Sequence, residues 1–173
     1  RVPPGVVPLA AGGVTASPGA GCGPVVAVRR HADLLRFPDG AVLVTAQARL
    51  ILDDQPVPFF GDGSMERDHT YIEDILSGLQ AALDRNPGCG FRTINLGSDR
   101  PVRLDALVEA LEKTLGKKAE IDRRPVPQGD VRRTWADLTL ARDLLDYEPR
   151  TSLEDGLKHF VDWLRTLYPS IER

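Results

Sequence analysis

The stretch Pro56-Val57-Pro58-Phe59-Phe60-Gly61-Asp62-Gly63-Ser64-Met65-Glu66-Arg67-Asp68-His69-Thr70-Tyr71-Ile72 constrains the fold more than any other part of the chain. A short apolar run meets an Asp-Gly turn, then a charged pair and a second apolar-aromatic run, so the backbone is expected to double back as a hairpin. That would set Phe60 beside Arg67. A flat ring can stack a nucleobase and a guanidinium forks onto phosphate oxygens, so the pair suits a nucleotide diphosphate. The same residues also fit a plain hairpin with a buried phenylalanine and a salt-bridged surface arginine.

Downstream, apolar residues recur at helical spacing. Arg49 to Asp54 closes one helix ahead of a strand over Val57–Phe60. Ile72, Ile75, Leu76, Leu79, Ala82 and Leu83 predict a helix over 72–85 with one apolar face, stopped by Asn86-Pro87-Gly88. A strand over Phe91–Leu96 follows, then a helix marked by Leu104, Leu107, Val108, Leu111 and Leu115 and closed by Gly116. Short strands are expected near Ala119–Asp122 and Thr134–Leu138, and a short helix at Leu140–Leu145. Thr151-Ser152-Leu153-Glu154 has the capping-box arrangement for a last helix that buries Leu153, Leu157, Phe160, Val161 and Leu164. Alternating strands and helices give an α/β lobe, whose apolar faces lack a larger sheet to lean on.

Residues 1–48 differ in kind. Ala, Gly, Pro and Val make up 30 of the first 46 residues, and only Asp33 and Asp39 among the chain's acids lie there, so no periodic pattern survives before residue 24. The segment is expected to be irregular, with a nucleotide-binding lobe over 49–173. Gly19-Ala20-Gly21-Cys22-Gly23 lacks the strand and helix that a dinucleotide loop requires, because Pro24 and Val25-Val26-Ala27-Val28 follow it.

The net charge of -3, with both signs interspersed, argues against a nucleic-acid partner. No apolar run reaches the roughly twenty residues of a membrane span. Cys22 and Cys89 have no metal-ligand spacing and fit a reducing compartment, so the chain reads as soluble and cytoplasmic. His31, His69 and His159 form no catalytic or metal-binding group.

Four motifs in order carry a resemblance: Phe60-Gly61-Asp62-Gly63-Ser64 with Arg67-Asp68-His69-Thr70-Tyr71; Ile94-Asn95-Leu96-Gly97; Gln128-Gly129-Asp130-Val131-Arg132-Arg133-Thr134-Trp135-Ala136-Asp137; and Tyr147-Glu148-Pro149-Arg150-Thr151-Ser152-Leu153. Together they resemble the C-terminal, substrate-binding half of the NAD-dependent nucleotide-sugar epimerases and dehydratases, the extended short-chain dehydrogenase/reductase family. Within it, UDP-glucuronate and UDP-glucose 4-epimerases are the nearest likeness, over roughly residues 49 to 168. The resemblance implies the α/β substrate-binding lobe of a Rossmann-type enzyme. It also implies a UDP-sugar ligand, NAD as cofactor, and a homodimer or a separate Rossmann half as protein partner.

Pro58 and Phe60 would then line the nucleobase slot, Arg67 would bind the diphosphate, Asp130 would accept from ribose hydroxyls, and Arg132 or Arg133 would supply a second phosphate clamp. Related enzymes often carry that second arginine just before the Gly-Asp pair, where this chain has Pro127 and Gln128. In the family, hydride leaves the sugar C4 for NAD and returns to the other face, with the tyrosine of a Tyr-x-x-x-Lys pair as base. Tyr71, Tyr147 and Tyr168 have no lysine at that spacing, so the chain alone is expected to be inactive. A 4,6-dehydratase and a UDP-glucuronate decarboxylase share this lobe. A non-catalytic module that binds nucleotide-sugars or pairs with another chain is the alternative of another class.

The family's Tyr-Gly-Pro loop would fall at Leu34, Leu35 and Arg36, and it is missing although the segment keeps its length. Out-of-frame translation of part of residues 1–48 accounts for that, as does a divergent loop.

Overall fold

The computed structural model describes residues 43–85 and 92–167. The expected irregularity before residue 43 and the stop at Asn86-Pro87-Gly88 lie outside them. The chain runs α1 (Leu43–Leu52), β1 (Val57–Phe60), β2 (Glu66–Asp68), α2 (Ile72–Arg85), β3 (Pro101–Arg103), α3 (Leu104–Leu115), β4 (Ile121–Arg124), β5 (Arg133–Thr134), α4 (Thr139–Leu145) and α5 (Leu153–Leu167). Residues 43–48, expected to be irregular, are therefore the first turns of α1. That helix ends where Asp54 takes a left-handed φ of 53°.

The hairpin does not form. β1 pairs in parallel with β4, with Val57 opposite Ile121 and Phe60 opposite Arg124. β2 is the middle of a second sheet, antiparallel to β3 and parallel to β5. A two-residue hairpin turn of type I′, the one an Asp-Gly pair favours, needs positive φ at both central residues. Here the positive-φ glycines, Gly61 and Gly63, are separated by Asp62. Asp62 instead folds onto Ser64, accepting from its amide at 2.9 Å, and the chain leaves toward α3, where Asp105 N donates to Gly63 O at 3.2 Å.

Two cores hold the lobe. Ala48, Ile51, Val57, Leu107, Leu111, Leu157 and Leu164 join α1, β1, α3 and α5. Ala82, Leu138, Ala141, Leu145 and Tyr147 join α2 to α4. α3 closes as expected, with Gly116 left-handed and its amide donating to Glu112 O. The α5 stripe is buried at Leu157, Val161 and Leu164, while Leu153 and Phe160 are half-buried. Its cap shifts by one residue. Ser152 Oγ accepts from Asp155 N at 3.1 Å and donates to the Asp155 carboxylate, so Ser152 and Asp155 take the places expected of Thr151 and Glu154.

α2 faces the core differently from the expected stripe. Its buried line is Asp74, Gly78 and Ala82, while Ile72, Leu76 and Leu83 are about half exposed. Close packing explains the choice, because a Cβ at Gly78 would collide with Leu96 and Tyr147. Asp74 accepts from the Arg150 and Thr151 amides at 3.0 and 3.1 Å, fastening the first turn of α2 to the approach of α5. Residues 92–96, expected as a strand, pack Ile94 and Leu96 into the second core without joining a sheet. Both long sides of β2 are already taken by β3 and β5.

Asp68, the last residue of β2, draws the surrounding loops together. Its carboxylate accepts from Ser98 N and Oγ, Thr70 Oγ1, Asp99 N and Ala136 N, at 2.6–3.3 Å. Gly97 permits the approach, since a Cβ there would strike Ala136 and the carboxylate itself. Its carbonyl receives the buried Tyr147 hydroxyl at 2.8 Å, and burial pushes the Tyr147 pKa up to about 12. Burial also works to raise the Asp68 pKa, but the bonds from Ser98, Ala136 and Asp99 outweigh it and hold the carboxyl below its usual range.

Two outcomes follow from this bonding. Asp74→Ala leaves the Arg150 and Thr151 amides without their acceptor and should cost about 2 kcal/mol in urea unfolding, whereas no shift in the midpoint would contradict the role given to Asp74. The lowered pKa of Asp68 gives stability that is complete above the unfolded carboxylate value of about 4 and is lost as pH falls from there through the folded value. Asp68→Asn should therefore flatten the acid limb of stability against pH. An unchanged limb would show that the carboxylate is not held as described.

Candidate functional site

The site is built where β2 meets the turn ahead of β5. Asp130 N donates to Pro127 O at 3.1 Å, and Gly129 sits inside that turn at φ 88°, a conformation that glycine adopts without steric cost. The turn delivers the Asp130 carboxylate to Arg67, 63 residues away in sequence. Arg67 Nη2 donates to Asp130 Oδ1 at 2.5 Å and Nη1 to the Glu66 carbonyl at 2.9 Å. The two side chains are 15% and 19% exposed, which leaves an edge of the pair open to a ligand from solution. Asp130 is itself steadied by the Val131 amide at 2.8 Å.

Strand alternation separates the other expected residues. Pro58 and Phe60 share one face of β1, and their register partners on β4 are Asp122 and Arg124. Those two form an ion pair at 2.7 Å. Val57 and Phe59 point the other way, and Arg123 covers the Phe59 ring at 5.0 Å. Pro58 is buried and Phe60 half-buried. Arg67 therefore meets Asp130 directly, while Phe60 belongs to a different sheet and is not set beside Arg67 by a hairpin.

Arg133 departs from the expected clamp position. Its Nε lies 2.8 Å from the Glu66 carboxylate and its guanidinium 4.6 Å from the Trp135 ring centroid. Arg132 is exposed, and its carbonyl accepts from Glu66 N at 2.8 Å. Sequence reading missed Glu66, Trp135, Asp122 and Arg124 as neighbours of the expected residues. Only the pairing of β2 with β5 and of β1 with β4 brings them there, and no local pattern encodes that pairing.

His69 follows Asp68. Burial holds its imidazole below the ordinary value, the Asp68 charge opposes that shift, and Arg67 adds to it. Among the described residues no group of His, Cys, Asp and Glu could hold a metal ion, and no helix is long and apolar enough to cross a membrane.

The described residues also do not fit NAD. Their positive-φ glycines lie between β1 and β2, at the end of α3 and in the Pro127–Asp130 turn. A dinucleotide pyrophosphate requires a glycine turn that leads from a strand into a helix N-terminus.

A family model described as GDP-mannose 4,6 dehydratase matches residues 35–160. A UDP-glucuronate 4-epimerase of Thermodesulfobacterium geofontis is 41% identical over 114 residues, which cover 65% of this chain and 34% of that protein. Protein CapI of Staphylococcus aureus is 34% identical over 148 residues, 76% of this chain and 43% of that protein. The chain thus spans between 34% and 43% of the length of these curated relatives.

Among solved structures, a UDP-glucuronic acid 4-epimerase from Bacillus cereus, in complex with UDP-glucuronic acid and NAD, superposes with a TM-score of 0.69 at 35% identity. That match covers 73% of this chain and 40% of that one. A UDP-glucose 4-epimerase from Thermotoga maritima with UDP-glucose gives a TM-score of 0.67 at 30% identity, over 74% and 40%. The family match over most of the chain, and the architecture shared with these enzymes, make this chain a member of the extended short-chain dehydrogenase/reductase family of nucleotide-sugar epimerases and dehydratases.

Proposed function

We propose that this chain is the UDP-sugar-binding portion of an NAD-dependent 4-epimerase. The observation that carries the reading is the Arg67–Asp130 pair: a cation and a hydrogen-bond acceptor, brought to one point from distant parts of the sequence and left partly open. A ribose diol donates to Asp130, while the adjoining pyrophosphate takes charge-assisted hydrogen bonds from Arg67 and from an arginine of the Arg132-Arg133 pair. Pro58 and Phe60 give the nucleobase a flat apolar wall beside β4. These contacts all lie away from the sugar carbon that reacts, so they position substrate rather than transform it.

NAD would supply the hydride acceptor and donor for inversion at that carbon, held by residues other than those described. The sequence has no Tyr-x-x-x-Lys pair, so residues 1–173 by themselves would bind without turnover. Named relatives favour the epimerase over the dehydratase, since the T. geofontis enzyme and the B. cereus and T. maritima structures are all 4-epimerases.

Calorimetric titration of UDP into the 173-residue chain tests the reading. Saturable binding is expected, weakened by about tenfold or more in Arg67→Ala, in keeping with loss of a charge-assisted contact. Absence of binding, or equal affinity in a folded Arg67→Ala variant, would favour a module that pairs with another protein instead.

A further inference from the structure

α2 is apolar on two sides, and this lobe uses only one of them. Asp74, Gly78 and Ala82 form its buried line, while Ile72, Leu76 and Leu83 are 48%, 52% and 55% exposed and Leu79 is half-buried among them. At about 100° per residue, the two lines lie roughly 130° apart around the helix. The exposed polar residues Glu73, Ser77, Gln80 and Asp84 are confined to one narrow sector. A helix with so wide an apolar arc belongs between two layers rather than on the outside of one.

The outer stripe cannot turn inward. Asp74 is tied to the Arg150 and Thr151 amides, and Gly78 packs so closely on Leu96 and Tyr147 that no side chain fits there. With the inner face committed, Ile72, Leu76, Leu79 and Leu83 recur at the spacing by which an amphipathic helix seats on another surface. Leu76, Leu79 and Leu83, rimmed by Glu73, Ser77 and Gln80, line a shallow groove of about 500 Å³.

Area narrows the occupant. The stripe offers a few hundred Å² of apolar surface, whereas each partner of a stable complex buries about 800 Å². A second copy of this chain, or any freely diffusing protein, would gain too little from α2 alone. A body already held beside the lobe, by linkage or by wider contacts, needs far less. Position narrows it further. Ile72 follows Arg67 closely enough that the stripe begins within about 18 Å of the Arg67 backbone. On the reading above, NAD is held outside the described residues and has to meet a sugar bound at that site. The match covers 40% of the B. cereus chain, so that enzyme has a larger body to set against this face.

We propose that the outer face of α2 is the seat of the NAD-holding half of the enzyme, with Ile72, Leu76, Leu79 and Leu83 as the buried contacts. The inference rests on the UDP-sugar reading and names the surface through which the lobe meets its catalytic partner.

The test joins this 173-residue chain to the part of the B. cereus enzyme outside the match, and compares that fusion with one carrying Leu76→Glu and Leu83→Glu. The unaltered fusion should unfold in a single calorimetric transition, and the substituted one in two. In the free chain the same substitutions should leave the melting temperature within about 2 °C and UDP affinity within about twofold, because both side chains stand in solvent there. An unaltered fusion that fails to fold or unfolds in two steps would overturn the inference, as would a substituted fusion that keeps one transition. So would a free chain that sediments as a dimer and becomes monomeric on Leu76→Glu, since a second copy would then own the face. Each of these results leaves UDP binding by the free chain as it was, and the parent reading with it. Failure of the free chain to bind UDP would remove that reading and the partner's identity together.

Discussion

The Asp68 carboxylate is the interaction on which the rest of the lobe depends. Five hydrogen bonds reach it from β2's own continuation, from the 97–100 loop and from the residue after Trp135. An ionised carboxylate that accepts this many donors is both stabilised and immobilised, because each amide that would otherwise be buried unpaired finds its partner there. The consequence reaches one residue back. With Asp68 anchored at the end of β2 and Ala136 drawn onto it, β5 is held alongside β2, and Arg67 and the Gly129 turn come into register. The Arg67–Asp130 pair is thus positioned by its neighbours as much as by its own attraction.

Local chemistry was legible in the sequence wherever it was self-contained. Helical periodicity located α2, α3 and α5, and Gly116 marked the end of α3 because only a residue at ease with positive φ ends a helix in that way.

Non-local pairing was not legible. Phe60 and Arg67 lie seven positions apart and read as a hairpin, yet the strands they occupy pair with residues more than thirty positions away. The periodicity of α2 located the helix but misjudged its face: Gly78 is buried for close approach and Asp74 for its bonds from the Arg150 and Thr151 amides, which hydrophobicity does not record. β3 went unseen because three residues beginning with a proline carry almost no alternating signal.

Function divides along the same line. Motif order identified the family, which rests on residue identities, and comparison with known proteins bears that out. Which neighbours engage an arginine depended on register, and there the structure adds what the motif could not: Arg133 is committed to Glu66 and Trp135. On the proposed reading, a cleft assembled in this way would bind through charge and hydrogen bonding at the diphosphate and ribose, with the base held on a separate strand pair.

The most direct measurement is a crystal structure of this chain grown with UDP. The account requires the pyrophosphate against Arg67 and the ribose hydroxyls within hydrogen-bond distance of Asp130, with the uracil lying along Pro58 and Phe60. Uridine bound elsewhere, with the Arg67–Asp130 pair intact and unvisited, would contradict it.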